Sequence, residues 1–322
     1  MRPAAIRPAA TWPAVSRRAA AALLPVLLPA LLLAACRGPA SRTAAEDPRR
    51  PTITVASMDF TESGILAELY AQVLAARGLP VERIPDLGSR EVVEPALEAG
   101  AVDLVPEYLG TAVTFLSGGR QVATADSAKN HAELVRLFAA RGISVLAHAP
   151  ARDQNGFAVA RATATARHLT RLSDLRPIAG QLVLGGPAEC AERLLCQKGL
   201  EHVYGLEFKQ FIPIASRAVT ADALADGEID VGLMDTTDAY LAAKDLFLLA
   251  DDRKLQPADN VVPVVRTEIV RRYGQQLVNA LNAVSALLTT PDLVELNRQA
   301  TIVERPAAVV AHQWLASHHL VP

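Results

Sequence analysis

Aromatic side chains make up only 4% of this 322-residue chain, and cysteine occurs just three times. A disulfide-stapled miniprotein is excluded, and at ~150 residues per domain the length allows about two domains, each with its own core. Neither sign of charge dominates, with 32 Lys+Arg against 34 Asp+Glu. No basic stripe is available to neutralise phosphates, which argues against nucleic acid as a partner. Also missing are a Gly-rich phosphate loop of either nucleotide-binding spacing, an H-E-x-x-H pair and a G-x-S-x-G elbow. The seven histidines are scattered, and His318-His319 reads as a solvated terminus. No metal site, cofactor or catalytic set is therefore expected. Apolar residues are what the chain has in quantity, at 51%, mostly Ala, Leu and Val, which is a globular profile.

The first 35 residues stand apart. Arg2, Arg7, Arg17 and Arg18 precede an uncharged run, Ala19 to Ala35, that ends in Leu33-Ala34-Ala35-Cys36. This order of positive region, apolar region and small-residue cleavage site reads as an export signal over residues 1–35. Pro25 and Pro29 break the run, which is short for a bilayer core of ~30 Å, so it does not read as a permanent span. The tetrad resembles a bacterial lipobox, in which Cys36 takes the lipid and becomes the new N-terminus; an ordinary secretory signal is the alternative. Arg17-Arg18 also leaves a twin-arginine route open. Cleavage leaves 28 Lys+Arg against 34 Asp+Glu, a net charge of −6. Cys190 and Cys196 then remain as an even pair in an exported chain, which favours a disulfide over two unpaired core thiols. Residues 36–51, rich in Arg, Pro, Ala and Ser, read as a tether.

From Ile53 onward, short β-branched runs alternate with helical periodicity, which predicts an α/β fold of βα units around largely parallel sheets. Ile53 to Ser57 reads as a strand. Thr61 reads as the N-cap of a helix with Glu62 in its positive first turn. Ser89 starts a second helix closed by Gly100, and strand Val102 to Val105 follows. The passage Ala96 to Leu104 matches Ala223 to Val231 at its Ala, Leu, Gly and Asp positions, 127 residues apart, which suggests two lobes of similar design. At that offset Tyr108 stands opposite Asp235, both beyond strand ends, where open α/β sheets bind ligands. Phe157 to Arg161, Gln181 to Leu184 and Phe208 to Ile214 read as strands of the second lobe. The expected division is lobe I over 52–150 and 262–322, with lobe II over 151–261 inserted into it. Crossings near Ala149 to Asn155 and Leu255 to Val262 would make a hinge and a cleft. An exported, tethered, two-lobed chain with a cleft and no catalytic set reads as a solute receptor and not an enzyme.

An ordered set of motifs carries a resemblance. It comprises Val55-Ala56-Ser57-Met58-Asp59-Phe60-Thr61-Glu62, Leu87-Gly88-Ser89-Arg90, Pro106-Glu107-Tyr108-Leu109-Gly110-Thr111, Asp153-Gln154-Asn155-Gly156-Phe157, Asp230-Val231-Gly232-Leu233 and Thr236-Thr237-Asp238. Together these resemble the substrate-binding proteins of glycine betaine/choline (osmoprotectant, quaternary ammonium) ABC transporters, over nearly the whole mature chain. The resemblance implies a bilobal periplasmic-binding-protein fold that closes on a betaine. It also implies a monomer that delivers its solute to permease and ATPase subunits. The chain would be held by its lipid at the outer face of the cytoplasmic membrane.

Such proteins hold the trimethylammonium head in a box of aromatic rings, because a cation without N–H donors can be held only by π faces, negative charge and shape. By this resemblance Tyr108 is one wall and Phe157, after Asn155, a second. Gln197, or Cys196 in a shifted register, stands where Tyr is usual, and Asp235 where an aromatic is usual. Two desolvated cation–π faces supply ~2–4 kcal/mol, whereas micromolar affinity needs about 8 kcal/mol. Charge is expected to fill the gap, from Asp235 with Asp59 and Glu107 near it, or Phe60 or Tyr240 to turn inward. Thr61, Ser89 and Thr111 are candidate hydroxyl contacts, with simple helix capping as the alternative. Arg152 and Arg217 could grip a carboxylate, or be solvated surface charges. A cationic or zwitterionic small solute is expected, with choline better suited than glycine betaine to an acidic pocket. A receptor for cationic amino acids or polyamines, and an exported hydrolase, are the alternatives.

Overall fold

The computed structural model of the chain describes residues 51–118, 120 and 122–322. The expected export signal, Cys36 and the expected tether up to residue 50 lie outside the described residues. Lobe I opens with β1 (Ile53–Ala56), α1 (Thr61–Ala76), β2 (Val81–Ile84), α2 (Arg90–Ala99) and β3 (Leu104–Tyr108). α3 (Leu109–Leu116), α4 (Ser127–Ala139) and β4 (Ile143–Val145) follow. The chain then crosses into lobe II through β5 (Asn155–Ala160), α5 (Arg161–Arg167), β6 (Val183–Gly186), the short α6 (Gln197–Gly199) and β7 (Gln210–Pro213). α7 (Arg217–Asp226), β8 (Val231–Asp235), α8 (Tyr240–Ala243) and β9 (Leu246–Leu249) complete that lobe. Back in lobe I come β10 (Val261–Arg266), α9 (Thr267–Leu287), α10 (Thr290–Thr301) and α11 (Ala307–Ser317).

Each lobe has a five-stranded sheet, ordered β2-β1-β3-β10-β4 and β7-β6-β8-β5-β9. The expectation of largely parallel sheets needs correcting. In each sheet three strands run parallel, while the strand that arrives from the other lobe, β10 or β5, pairs antiparallel on both sides. A crossing strand enters from the opposite direction, so it cannot extend the parallel run. The two crossings lie side by side, joined by Ala149 N to Val261 O at 2.8 Å, Val261 N to Ala151 O at 3.1 Å and Asp153 N to Asp259 O at 3.1 Å.

The repeat 127 residues apart has a physical basis. Gly100 and Gly227 both end a helix in the left-handed region, at φ 76° and 75°, where a Cβ is strained. Three residues on, Asp103 accepts the Thr54 N–H at 3.0 Å and Asp230 accepts the Val183 N–H at 2.8 Å. Each carboxylate thus pins the start of the neighbouring parallel strand. The correspondence continues upstream to Ser89-Arg90 and Ser216-Arg217, each placing an arginine at the first position of its helix.

Helix starts differ from expectation in detail. Phe60, not Thr61, is the N-cap of α1, and Thr61 is the first helical residue. Ser89 occupies the N-cap of α2, but its hydroxyl donates to Glu91 Oε2 at 2.8 Å and accepts no backbone N–H of the first turn. Thr111 lies inside α3, whose first turn is capped from afar: Asp259 Oδ1 accepts the Gly110 and Thr111 N–H groups at 2.7 and 3.0 Å. A Cβ on Gly110 would stand 2.8 Å from Ala258 O, so only glycine lets α3 approach the crossing segment that carries Asp259.

α1 is the buried axis of lobe I. Ile65, Leu69 and Val73 pack with Leu277, Leu281 and Val284 of α9 and with Trp314 and Leu315 of α11. On the other sheet face, Val93 and Leu97 meet Leu134, Phe138 and Val264. Lobe II has its own core around Leu172, Leu175, Leu200 and Tyr204, in which Cys190 and Cys196 are joined by a disulfide.

Candidate functional site

Four carboxylates, those of Glu62, Asp153, Asp235 and Asp238, converge on one hollow with Arg217 as the cation in its lining. Phe60, Thr61, Thr237, Tyr240, Asn297 and Thr301 complete the wall. Residues of both lobes contribute: α1 and α10 from lobe I, the start of α7 and the end of β8 from lobe II, and Asp153 from a crossing. The space measures about 30 Å³, room for about one or two waters.

Glu62 sits at the centre. Its Oε1 accepts the Tyr108 hydroxyl at 2.7 Å, and its Oε2 accepts the Thr237 hydroxyl and Asn297 Nδ2, each at 2.6 Å. Burial pushes this carboxyl above its ordinary range, while the three donors pull it back towards the charged form. Thr237 belongs to lobe II, so its bond to Glu62 ties the lobes across the hollow. A second contact between the lobes is made by Arg193, within the loop closed by the disulfide, which reaches Glu91 of α2 at 2.8 Å. Burial opposes the Glu91 charge, but Arg193 beside it holds the carboxyl down at about 2.

Arg217 donates to Asp235 through two bonds, at 2.9 and 3.2 Å. Asp153 Oδ1 accepts the Thr236 hydroxyl at 3.0 Å and the Thr237 N–H at 3.1 Å. Its carboxyl lies well above the usual range, chiefly through burial and then through the charges of Glu62 and Asp235. Asp238 is pushed up to about 7 by burial and by Asp235. Clustered acids in so little space resist ionising together, and a cation placed among them would relieve that repulsion.

Phe60, Thr61 and Asp235 line the hollow, and Tyr108 stands one step behind, its phenol on Glu62 and its ring centroid 6.1 Å from that of Phe60. Phe157 as an aromatic wall is corrected. It is 1% exposed, on the face of β5 that Val159 also presents to the lobe II core, because alternate strand residues share a face. Asn155 donates to Leu195 O at 3.3 Å, Gln197 donates to Glu201 at 3.1 Å, and Asp59 is exposed at the rim of α1. None of these three is among the residues lining the hollow. Thr111 accepts from Arg90 at 3.0 Å, and Glu107 is paired with Arg90 inside lobe I. Sequence reasoning missed Glu62, Asp153, Asp238, Asn297 and Thr301 as parts of the wall; it had read Glu62 as a first-turn charge.

Among the described residues no group of three His, Cys, Asp or Glu side chains is arranged to hold a metal ion. Two α/β lobes joined by paired crossings, with an acidic hollow between them, define a solute receptor of the periplasmic-binding type. The family model described as the substrate binding domain of ABC-type glycine betaine transport systems matches residues 51–317, and the chain belongs to that family. It is 29% identical over 273 residues to the glycine betaine-binding protein YehZ of Escherichia coli K12, covering 82% of this chain and 89% of that one. It is 28% identical over 309 residues to the carnitine transport binding protein OpuCC of Listeria monocytogenes, covering 92% and 96%. Among solved structures, a glycine betaine/carnitine/choline ABC transporter protein superposes with a TM-score of 0.66 at 25% identity, covering 83% of this chain and 99% of that one.

Proposed function

We propose that the hollow is the capture site for a quaternary ammonium cation, choline before glycine betaine, and that Cys36 anchors the exported receptor by lipid beside its permease. The observation that carries the reading is the set of four carboxylates facing Arg217, which is itself spent on Asp235. Phe60 and Tyr240 supply the ring faces in place of a four-walled aromatic box. A betaine's own carboxylate would face Glu62, Asp153 and Asp238 with no free arginine to receive it. The lobes must part to admit any such ligand, because the present space is far smaller than a trimethylammonium head.

Titration calorimetry with choline, glycine betaine, carnitine and ergothioneine tests this reading, with choline tightest as the expected result. Tightest binding of a neutral or anionic solute would overturn it. The reading also carries a pH dependence. Asp238 has its carboxyl near 7, and a cation prefers the ionised form, so binding releases a proton and strengthens as pH rises. Between pH 8 and pH 6 choline affinity should fall several-fold and towards a limit of roughly tenfold, the ionised fraction one unit below such a pKa being about a tenth. Equal affinities at both pH values would remove Asp238 from the site.

A further inference from the structure

Asn297 reaches the hollow from α10, and its amide is half spent. Nδ2 donates to Glu62 Oε2 at 2.6 Å and faces Thr237 O and Thr237 Oγ1, each at 3.2 Å. These partners are all acceptors in this arrangement, since the Thr237 hydroxyl proton is committed to Glu62. The amide cannot be turned over without setting Oδ1 against a carboxylate and a carbonyl. Oδ1 is therefore the acceptor left over, and among the described residues it is buried with no hydrogen-bond partner, on a residue 5% exposed.

A buried acceptor without a donor is costly, and it calls for a partner from outside the protein. No donor of the wall reaches it: Arg217 is spent on Asp235, the Thr301 hydroxyl donates to the Asn297 carbonyl at 2.7 Å, and the hydroxyls of Thr61 and Tyr240, though in the lining, make no bond to Oδ1. Glu62 and Asn297 both belong to lobe I, so the bond that fixes the amide survives when the lobes part and Thr237 withdraws.

Resting on the cation reading above, we infer that Asn297 is a specificity-determining residue whose Oδ1 accepts a hydrogen bond from a hydroxyl or N–H on the ligand. A trimethylammonium head has no donor, so the donor lies on the tail. A tail ending in a carboxylate would meet Oδ1 and Glu62 as acceptor against acceptor. The ligand class is thus a quaternary ammonium alcohol, or a relative with an N–H at the same reach.

The test compares choline with n-propyltrimethylammonium, which keeps the charge and replaces the hydroxyl by a methyl of similar size. On the wild-type chain, calorimetry should show choline at least tenfold tighter. In Asn297→Leu, whose fold is checked by thermal melting, the preference should level or reverse, since the propyl tail is the more apolar. Wild-type binding of propyltrimethylammonium as tight as choline would overturn the inference and leave the cation site standing. Failure of both ligands to bind would overturn the cation reading and the inference with it. The wild-type ratio decides the matter even if the variant does not fold.

Discussion

Asp235→Asn should weaken choline binding by about 2 kcal/mol, roughly 30-fold in Kd. Two effects add. One negative charge leaves the hollow, and the Arg217 guanidinium, which now donates to Asp235 at 2.9 and 3.2 Å, is left uncompensated beside the arriving cation. The pair is largely but not fully enclosed, with the two side chains 21% and 17% exposed, so the lower end of the range for breaking a buried charge pair applies. Arg217→Ala should shift affinity the other way, because it frees Asp235 for the ligand. Calorimetry of both variants at pH 8 measures the pair, and affinity within twofold of wild type for Asp235→Asn would exclude this carboxylate from the site. A small dependence on salt is expected, since charges withdrawn from solvent are weakly screened.

How much of this was legible in the sequence depends on how local the cause was. Gly100 and Asp103, with their counterparts Gly227 and Asp230, act within a few residues or on the adjacent strand, so the repeat could be read directly. The continuation to Arg90 and Arg217 was present in the same text but lies beyond five positions of which only Val92 and Val219 agree. The mixed character of the sheets was hidden, because β10 and β5 look like any apolar strand until it is known that each enters from the other lobe. Phe157 matched a wall by position, yet strand alternation turned it into the core. Glu62 was seen as an acid in a helical first turn, which suits the helix dipole equally well whether or not a ligand is near. Its hydrogen-bond partners Tyr108, Thr237 and Asn297 lie 46, 175 and 235 residues away, and no local pattern encodes such a meeting.

The arginine that matches Arg217 in the other lobe does different work, and removing it should unsettle the fold and not the affinity. Arg90 donates through Nε and Nη2 to Glu107 at 2.7 and 2.9 Å and through Nη2 to Thr111 at 3.0 Å. Its side chain is 9% exposed and that of Glu107 is 0%. Burial opposes the guanidinium charge, but Glu107, Asp259 and Glu94 around it hold it firmly protonated. Arg90→Leu would leave those three carboxyls together without a cation, and stranding a buried charge costs about 3–5 kcal/mol. The melting temperature should fall by on the order of 10 °C at pH 7.5. The sign of the pH dependence follows from the same groups. Without Arg90 the carboxyls of Glu94 and Asp259, which burial already raises and Arg90 holds back, sit higher still above their unfolded values, so folding takes up protons and the deficit shrinks as pH falls towards 5. Asp259, already pushed up to about 7 chiefly by burial even with Arg90 present, would be among the first to take one. Melting curves of wild type and Arg90→Leu at pH 5 and pH 7.5 measure both effects, and a deficit that is equal at the two pH values would mean that packing of the arginine stem, and not its charge, is what lobe I loses.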